Sequence, residues 1–234
     1  MKRPSIDVLE REDPVRHGVN AFVRRAAEGV AAGARVLDAG AGECIYRPLF
    51  EKQRYVAVDR GGGDREWNYG RLDAVADLER VPLCDGTFDY VLCTETLEHV
   101  RRPARVLAEL RRVLRPGGTL ALSVPFLHPV HQAPHDYLRF TPFALRALLE
   151  EAGLSVTGIE ASGGYFLFLY WQLQAFPSHL PLGVRACPLT WLSWPARAFI
   201  RGAAALLRGF AWALRGKSAA ETRPLSYFTL AVRK

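Results

Sequence analysis

The chain has 234 residues, 49% hydrophobic and 24% charged, enough for one globular domain with a sizeable core and an appendage. Its 31 basic and 24 acidic side chains leave a net +7, so nucleic acid, an anionic membrane surface and an acidic substrate are partners to be sorted by where that charge sits. Cys44, Cys84, Cys93 and Cys187 form no C-x-x-C pair, which excludes a sequence-encoded zinc ribbon or disulfide framework. The opening MKRPSIDVLERED has no apolar run, so no signal peptide is expected and the reducing cytoplasm is the expected compartment.

Taken in order, Asp13-Pro14 reads as a helix start, with the aspartate as N-cap. Val15, Val19, Phe22, Val23, Ala26 and Val30 recur at helical spacing until Gly33. Val36 and Leu37 end an apolar run that reads as a buried strand. Asp38 follows, and then Gly40 and Gly42 in alternation, a bend that lets backbone approach a ligand, or else an ordinary strand-to-helix turn. Residues 45–52 are expected as a short helix. A second strand, 55–59, ends on Asp59, where a carboxylate can take both hydroxyls of a ribose. Residues 88–93 form the next clear strand. The polar run Thr94-Glu95-Thr96-Leu97-Glu98-His99 follows at its carboxyl end, where open α/β sheets hold their ligands.

Pro103 opens a helix that Arg115-Pro116-Gly117-Gly118 stops, and 119–124 is the following strand. The loop 126–140 carries three of the six histidines, His128, His131 and His135. An imidazole titrates near neutrality and suits a general base. His135 is the first choice and His131 the second. Asp136 is placed either to orient an imidazole or to bind a substrate hydroxyl, and the alternative for each histidine is a hydrogen bond that merely holds the loop. Thr141-Pro142 caps a helix ending at Gly153. Residues 154–159 and 227–232 are the last two strands.

Between those strands lies an insertion, 161–224, long for such a connection. It divides the expected organisation into 1–160 with 225–234 and the insertion itself. The insertion has seven basic residues and one acid, Glu221, so it holds +6 of the net charge. The rest is nearly neutral, which argues against a nucleic-acid footprint. From Pro195 a helix of roughly 20 residues places Arg197, Arg201, Arg208 and Arg215 on one stripe, opposite Phe199, Ile200, Ala203, Leu206, Leu207, Phe210 and Leu214. Arginines within the run argue against a membrane span. An anionic membrane surface, a lid and a homodimer face are the readings left for it.

VLDAGAGEC followed by VAVDR resembles motif I and the acidic loop of class I S-adenosylmethionine (SAM) dependent methyltransferases, in particular the type 11-like ones. The family's third glycine falls on Cys44. The resemblance implies a Rossmann-like, seven-stranded, mostly parallel sheet with helices on both faces, an antiparallel last strand, and SAM as cofactor. It places cofactor contacts on Asp38, Gly40, Gly42, Asp59, Arg60, Thr94 and Glu95. Asp77 would accept from the adenine amino group and Leu78 would cover the ring. LRPGGTLALSVPF is a further, structural match. Glu95-Thr96-Leu97-Glu98-His99 and HDYLRF are similar to segments of ubiquinone-biosynthesis O-methyltransferases, and the whole pattern resembles methyltransferases of bacterial polysaccharide and natural-product clusters. This implies methyl transfer to a hydroxyl of a small-molecule, sugar or lipid-linked acceptor. It also brings a divalent ion near Glu95, Glu98 and His99 into view, although the reading adopted has no metal. Methylation at nitrogen or carbon, cyclisation, a SAM-binding scaffold and a nicotinamide-dependent oxidoreductase are the rivals.

Overall fold

The computed structural model describes residues 13–63, 67–179, 193–214, 217 and 219–234. Helix α1, Pro14–Glu28, starts where Asp13 Oδ1 accepts from the amides of Val15 (2.9 Å) and Arg16 (3.4 Å). That satisfies two of the donors a helix start leaves unpaired. It buries Val15, Val19, Phe22 and Val23, and it ends at Gly29 rather than at the expected Gly33.

Seven strands follow: β1 Arg35–Ala39, β2 Arg54–Asp59, β3 Ala74–Val75, β4 Phe88–Thr94, β5 Leu114–Pro125, β6 Leu154–Gly163 and β7 Pro224–Arg233. They form one sheet in the order β3-β2-β1-β4-β5-β7-β6. Pairings from β3 across to β5 are parallel, and β7 runs antiparallel to β5. β7 does not close an edge. It lies between β5 and β6, so β6 is the edge strand. Helices α2, Pro103–Val113, and α3, Pro142–Glu151, contribute Val106, Leu107, Leu110, Leu145 and Leu149 to the core. Such coverage explains why β1 and β4 read as continuous apolar runs: Val36, Leu37, Val91, Leu92 and Cys93 are wholly buried.

Two local expectations change. The helix over 45–52 reduces to a 3-10 turn, Arg47–Phe50, with no side-chain cap. Pro48 removes an amide, and so short a segment has little to offset the cost of nucleation. Strand β5 begins at Leu114 instead of 119. Its pairing with β4 jumps from Phe88↔Leu114 to Tyr90↔Thr119, so Arg115-Pro116-Gly117-Gly118 bulges out of the ladder.

The chain divides into two compact units, 1–162 with 225–234, and 163–224. In the second, α4 (Tyr165–His179) packs on α5 (Ser193–Ala213), with Ala204 and Ala211 buried and the rings of Tyr170 and Trp212 5.3 Å apart. Phe199, Leu206, Leu207 and Phe210 of α5 are exposed. The side chains of Arg197, Arg201, Arg208 and Ile200, and all of Arg215, lie outside the described residues, so the expected arginine stripe does too. Among the described residues no helix is long and apolar enough to cross a membrane.

Candidate functional site

Strand order reverses between β2 and β4 on either side of β1, and this is where an open α/β sheet leaves a crevice at its carboxyl edge. A cavity of about 960 Å³ opens there, room for a nucleoside cofactor with an acceptor beside it. Gly40 (φ +83°) and Gly42 (φ +50°) make its floor. A Cβ on Gly40 would stand 2.3 Å from Thr96 Oγ1, and one on Gly42 3.1 Å from the Trp67 ring. Glycine is required at the first position both by the turn and by the close approach of the loop after β4. Cys44, two residues on, holds the same left-handed conformation (φ +57°) with a side chain attached. It is fully buried, and its thiol reaches the carbonyl of Arg71 at 3.5 Å. The backbone therefore makes the third turn without glycine, at a cost of roughly 1–2 kcal/mol.

Asp59 ties this floor together. Its Oδ2 accepts the Gly42 amide at 3.0 Å and its Oδ1 the Gly61 amide at 2.7 Å. Each carboxylate oxygen retains a second lone pair for a ligand. Asp38 lies behind the bend, 1% exposed. Burial pushes its carboxyl up to about 7, although the Tyr55 hydroxyl donates to Oδ2 and works the other way. Its Oδ1 is buried without a hydrogen-bond partner. An orphaned acid oxygen at the rim of a cavity is suited to a cationic or donor group of a ligand. Asp77 is turned into its own loop, accepting the Glu79 amide at 2.9 Å, and Leu78 is buried beside it.

The far wall is built from the end of β4 and the loop after β5. Glu95 is in the left-handed region (φ +46°) and accepts from Ser123 Oγ at 2.9 Å; burial raises its carboxyl to about 7. Glu98 is wholly buried, and neither carboxylate oxygen has a hydrogen-bond partner. Burial, then the neighbouring Glu95, raise it well above the ordinary carboxylate range. His99 Nδ1 lies 2.7 Å from the carbonyl of His135, and His131 Nδ1 lies 3.1 Å from that of Pro129. Burial lowers both imidazoles below their usual range. His135 Nδ1 meets the Tyr137 hydroxyl at 3.0 Å.

Asp38, Gly40, Gly42, Asp59, Arg60, Asp77, Leu78, Thr94, Glu95, His131 and His135 all line this one cavity. Asp136 is not among the lining residues. It holds the Arg139 guanidinium with both oxygens, at 2.6 and 2.8 Å, and accepts the His131 amide at 2.9 Å. Arg139 keeps its carboxyl far below the usual range. Of the two roles expected for Asp136, this geometry suits orienting an imidazole: Oδ2 is 3.4 Å from His131 Nδ1. Sequence reasoning missed Trp67, Tyr55 and Ser123. Trp67 comes from an irregular loop with no period, and only the need to cover Gly42 could have pointed to it. The Tyr55 position opposite Asp38 follows from the β1–β2 register, in which Asp38 pairs with Ala57, once that register is known.

Residues 37–122 match the family described as "Methyltransferase domain". The chain is 30% identical over 190 residues to a demethylmenaquinone methyltransferase of Renibacterium salmoninarum, covering 79% of this chain and 77% of that protein. It is 31% identical over 140 residues to a ubiquinone biosynthesis O-methyltransferase of Pseudomonas aeruginosa, covering 53% of this chain and 55% of the relative. It spans about half the length of other curated relatives it matches as well. A SAM-dependent methyltransferase from Archaeoglobus fulgidus shares the fold with a TM-score of 0.57 at 17% identity, over 92% of this chain and 93% of that one.

Proposed function

The chain belongs to the class I SAM-dependent methyltransferases, with SAM as its cofactor, and from that premise we propose that it methylates a hydroxyl of a small-molecule, sugar or lipid-linked acceptor in biosynthesis. One observation carries the reading: the glycine bend with Asp59 and the imidazoles of His131 and His135 line the same cavity. Asp59 takes the ribose hydroxyls, Gly40 and Gly42 admit the cofactor close to backbone, and Asp38 Oδ1 accepts from its ammonium group. Arg60, Thr94 and Glu95 complete the cofactor contacts. Asp77 answers the adenine amino group, and Leu78 covers the ring.

Methyl transfer is an in-line displacement that depends on alignment. An oxygen lone pair of the acceptor attacks the methyl carbon, the carbon–sulfur bond breaks, and the neutral thioether S-adenosylhomocysteine leaves. The hydroxyl proton passes to His135, with His131 as the second candidate and Asp136 as the positioning residue behind it. The ubiquinone relative, named as an O-methyltransferase, supports an oxygen acceptor. The exposed apolar stripe on α5, in a segment of net +6, supports contact with an anionic membrane surface from the cytoplasmic side. A second copy of the chain is the competing occupant. The test of the chemistry is His135→Ala, assayed with SAM and a panel of hydroxylated acceptors. kcat should fall by about 10²-fold or more while SAM affinity holds. Wild-type turnover would remove His135 from the reaction, and methylation confined to amine acceptors would overturn the oxygen reading.

A further inference from the structure

Arg101 is a cation that neither the cofactor contacts nor the proton transfer uses. It follows the 3-10 turn Leu97–His99 and lines the cavity together with Arg16, Arg60 and Arg102. Arg102 is paired with Glu79; among the described residues Arg16, Arg60 and Arg101 make no ion pair. Arg60 follows the ribose acid Asp59, and the charge of Arg16 acts on Tyr46 and Glu95 beside the glycine bend. Arg101 stands instead with the loop after β5. Its Nε donates to the Tyr137 hydroxyl at 3.2 Å, and its guanidinium lies 5.4 Å from the centre of the Tyr137 ring. The same hydroxyl meets His135 Nδ1 at 3.0 Å. One phenol oxygen thus joins Arg101 to the candidate base. This junction is held firmly: the Tyr137 amide donates to the Glu98 carbonyl at 2.9 Å, and His99 Nδ1 donates to the His135 carbonyl at 2.7 Å. With Nε committed, the two Nη groups of Arg101 remain, and among the described residues no protein group accepts from them. The nearby acids are engaged elsewhere: Glu79 by Arg102, Asp136 by Arg139, Asp77 by its own loop.

We propose that Arg101, held by Tyr137, selects an acceptor that carries an acidic group, a carboxylate or a phosphate monoester, a few bonds from the atom that is methylated. The inference rests on the acceptor reading above and names the substrate class within it. A planar guanidinium meets two oxygens of a carboxylate or phosphate with parallel N–H donors, and a guanidinium already anchored at Nε and against a ring loses less freedom in doing so. Arg101 and His135 touch the same phenol oxygen, so an acceptor whose hydroxyl sits at His135 brings a neighbouring acid to the free edge of Arg101. Two points of attachment fix the direction of the hydroxyl, and direction is what an in-line displacement needs. An acceptor without the acid keeps the hydroxyl contact and loses that constraint. The carboxylate of the methyl donor is the competing occupant of the guanidinium, and cofactor affinity tells the two apart.

The test uses the full chain saturated with S-adenosylhomocysteine and reads probe binding by ligand-observed NMR and calorimetry, without turnover. The probes are matched pairs: salicylate against salicylamide, 2-hydroxyphenyl phosphate against catechol, and glucuronate against glucose. In at least one pair the acid should bind about fivefold or more tightly than its neutral counterpart. The tighter acid, carboxylate or phosphate, identifies the group on the acceptor. Arg101→Gln, at an exposed position where folding is least at risk, should abolish the preference. Arg101→Lys should keep only part of it, because it retains the charge and loses the planar fork. Tyr137→Phe, which removes the hydroxyl that holds Nε, should lower it by about two- to fivefold. In all three variants S-adenosylhomocysteine should bind as in wild type. Equal binding within every pair, no binding of any acid, or an undiminished preference in Arg101→Gln would each overturn the proposal. So would a loss of S-adenosylhomocysteine affinity in Arg101→Gln as large as the loss of the acids, which would give the guanidinium to the cofactor carboxylate. Because only acceptor binding is read, a methyl group found on nitrogen would end the oxygen reading and leave this result standing.

Discussion

Asp38 gives a sharp test of the cavity's electrostatics. The side chain is 1% exposed, and burial lifts its carboxyl from 3.8 to about 7. The folded chain therefore holds a proton that the unfolded chain releases between those two values. Stability from this group is fully present below about pH 3.8 and is lost as pH rises through about 7. At about 1.36 kcal/mol per unit, the full displacement is worth ~4 kcal/mol, and the part that falls between pH 5 and 8 is ~3 kcal/mol. Asp38→Asn cannot ionise. Urea unfolding of both proteins without cofactor should therefore show wild type losing ~3 kcal/mol relative to the variant from pH 5 to pH 8. Glu95, raised to about 7 as well, titrates in both proteins and cancels to first order in the difference. Tyr55→Phe removes the hydroxyl that partly offsets burial, so it should move the midpoint of the loss to higher pH. A wild-type-minus-variant difference that is the same at pH 5 and pH 8 would refute the reasoning, because Asp38 would then be ionised in both states or in neither.

Asp59→Ala should weaken SAM about 10–100-fold in a calorimetric titration, the loss of one charge-assisted hydrogen bond or slightly more; unchanged affinity would take Asp59 out of the site. Phe199→Ser with Phe210→Ser, both exposed on α5, should reduce sedimentation with anionic vesicles by roughly tenfold and leave neutral vesicles unaffected. A full-length protein that never sediments with them ends the membrane reading, and a concentration-dependent dimer lost in the same variant would assign the stripe to a second copy.

The parts legible in the sequence are those fixed by local chemistry. Asp13-Pro14 and Thr141-Pro142 cap helices where their side chains predict, because capping is settled within four residues. Strand β1 and the bend after it are equally local: an apolar run buried on both faces, then glycines at positive φ. The misplaced boundaries were set by distant partners. Nothing near Leu114 says that it pairs with Phe88 and thereby makes Arg115-Pro116-Gly117-Gly118 a bulge inside a strand. Likewise, β7 enters between β5 and β6 through hydrogen bonds with residues a hundred positions earlier. The cofactor candidates were legible because a parallel sheet delivers the residues after each strand to one edge. The pairing of His131 with Glu98 was not, since it depends on how the loop after β5 folds back, with Asp136 and Arg139 holding it.

What the sequence shows as three ordinary acids, the fold turns into a charge reservoir. Asp38, Glu95 and Glu98 lie at the ends of β1 and β4, and burial raises all three. Each costs the folded chain stability when it ionises without a positive partner. On the proposed placement, the methyl donor brings its ammonium and sulfonium beside Asp38 and Glu95, which line the cavity, so cofactor binding would offset a cost already present in the empty fold instead of requiring a new one. Transfer of the methyl group leaves a neutral thioether. The product therefore loses one of the two positive charges that the acids favour, and the same burial that draws the donor in weakens the hold on what remains after the reaction.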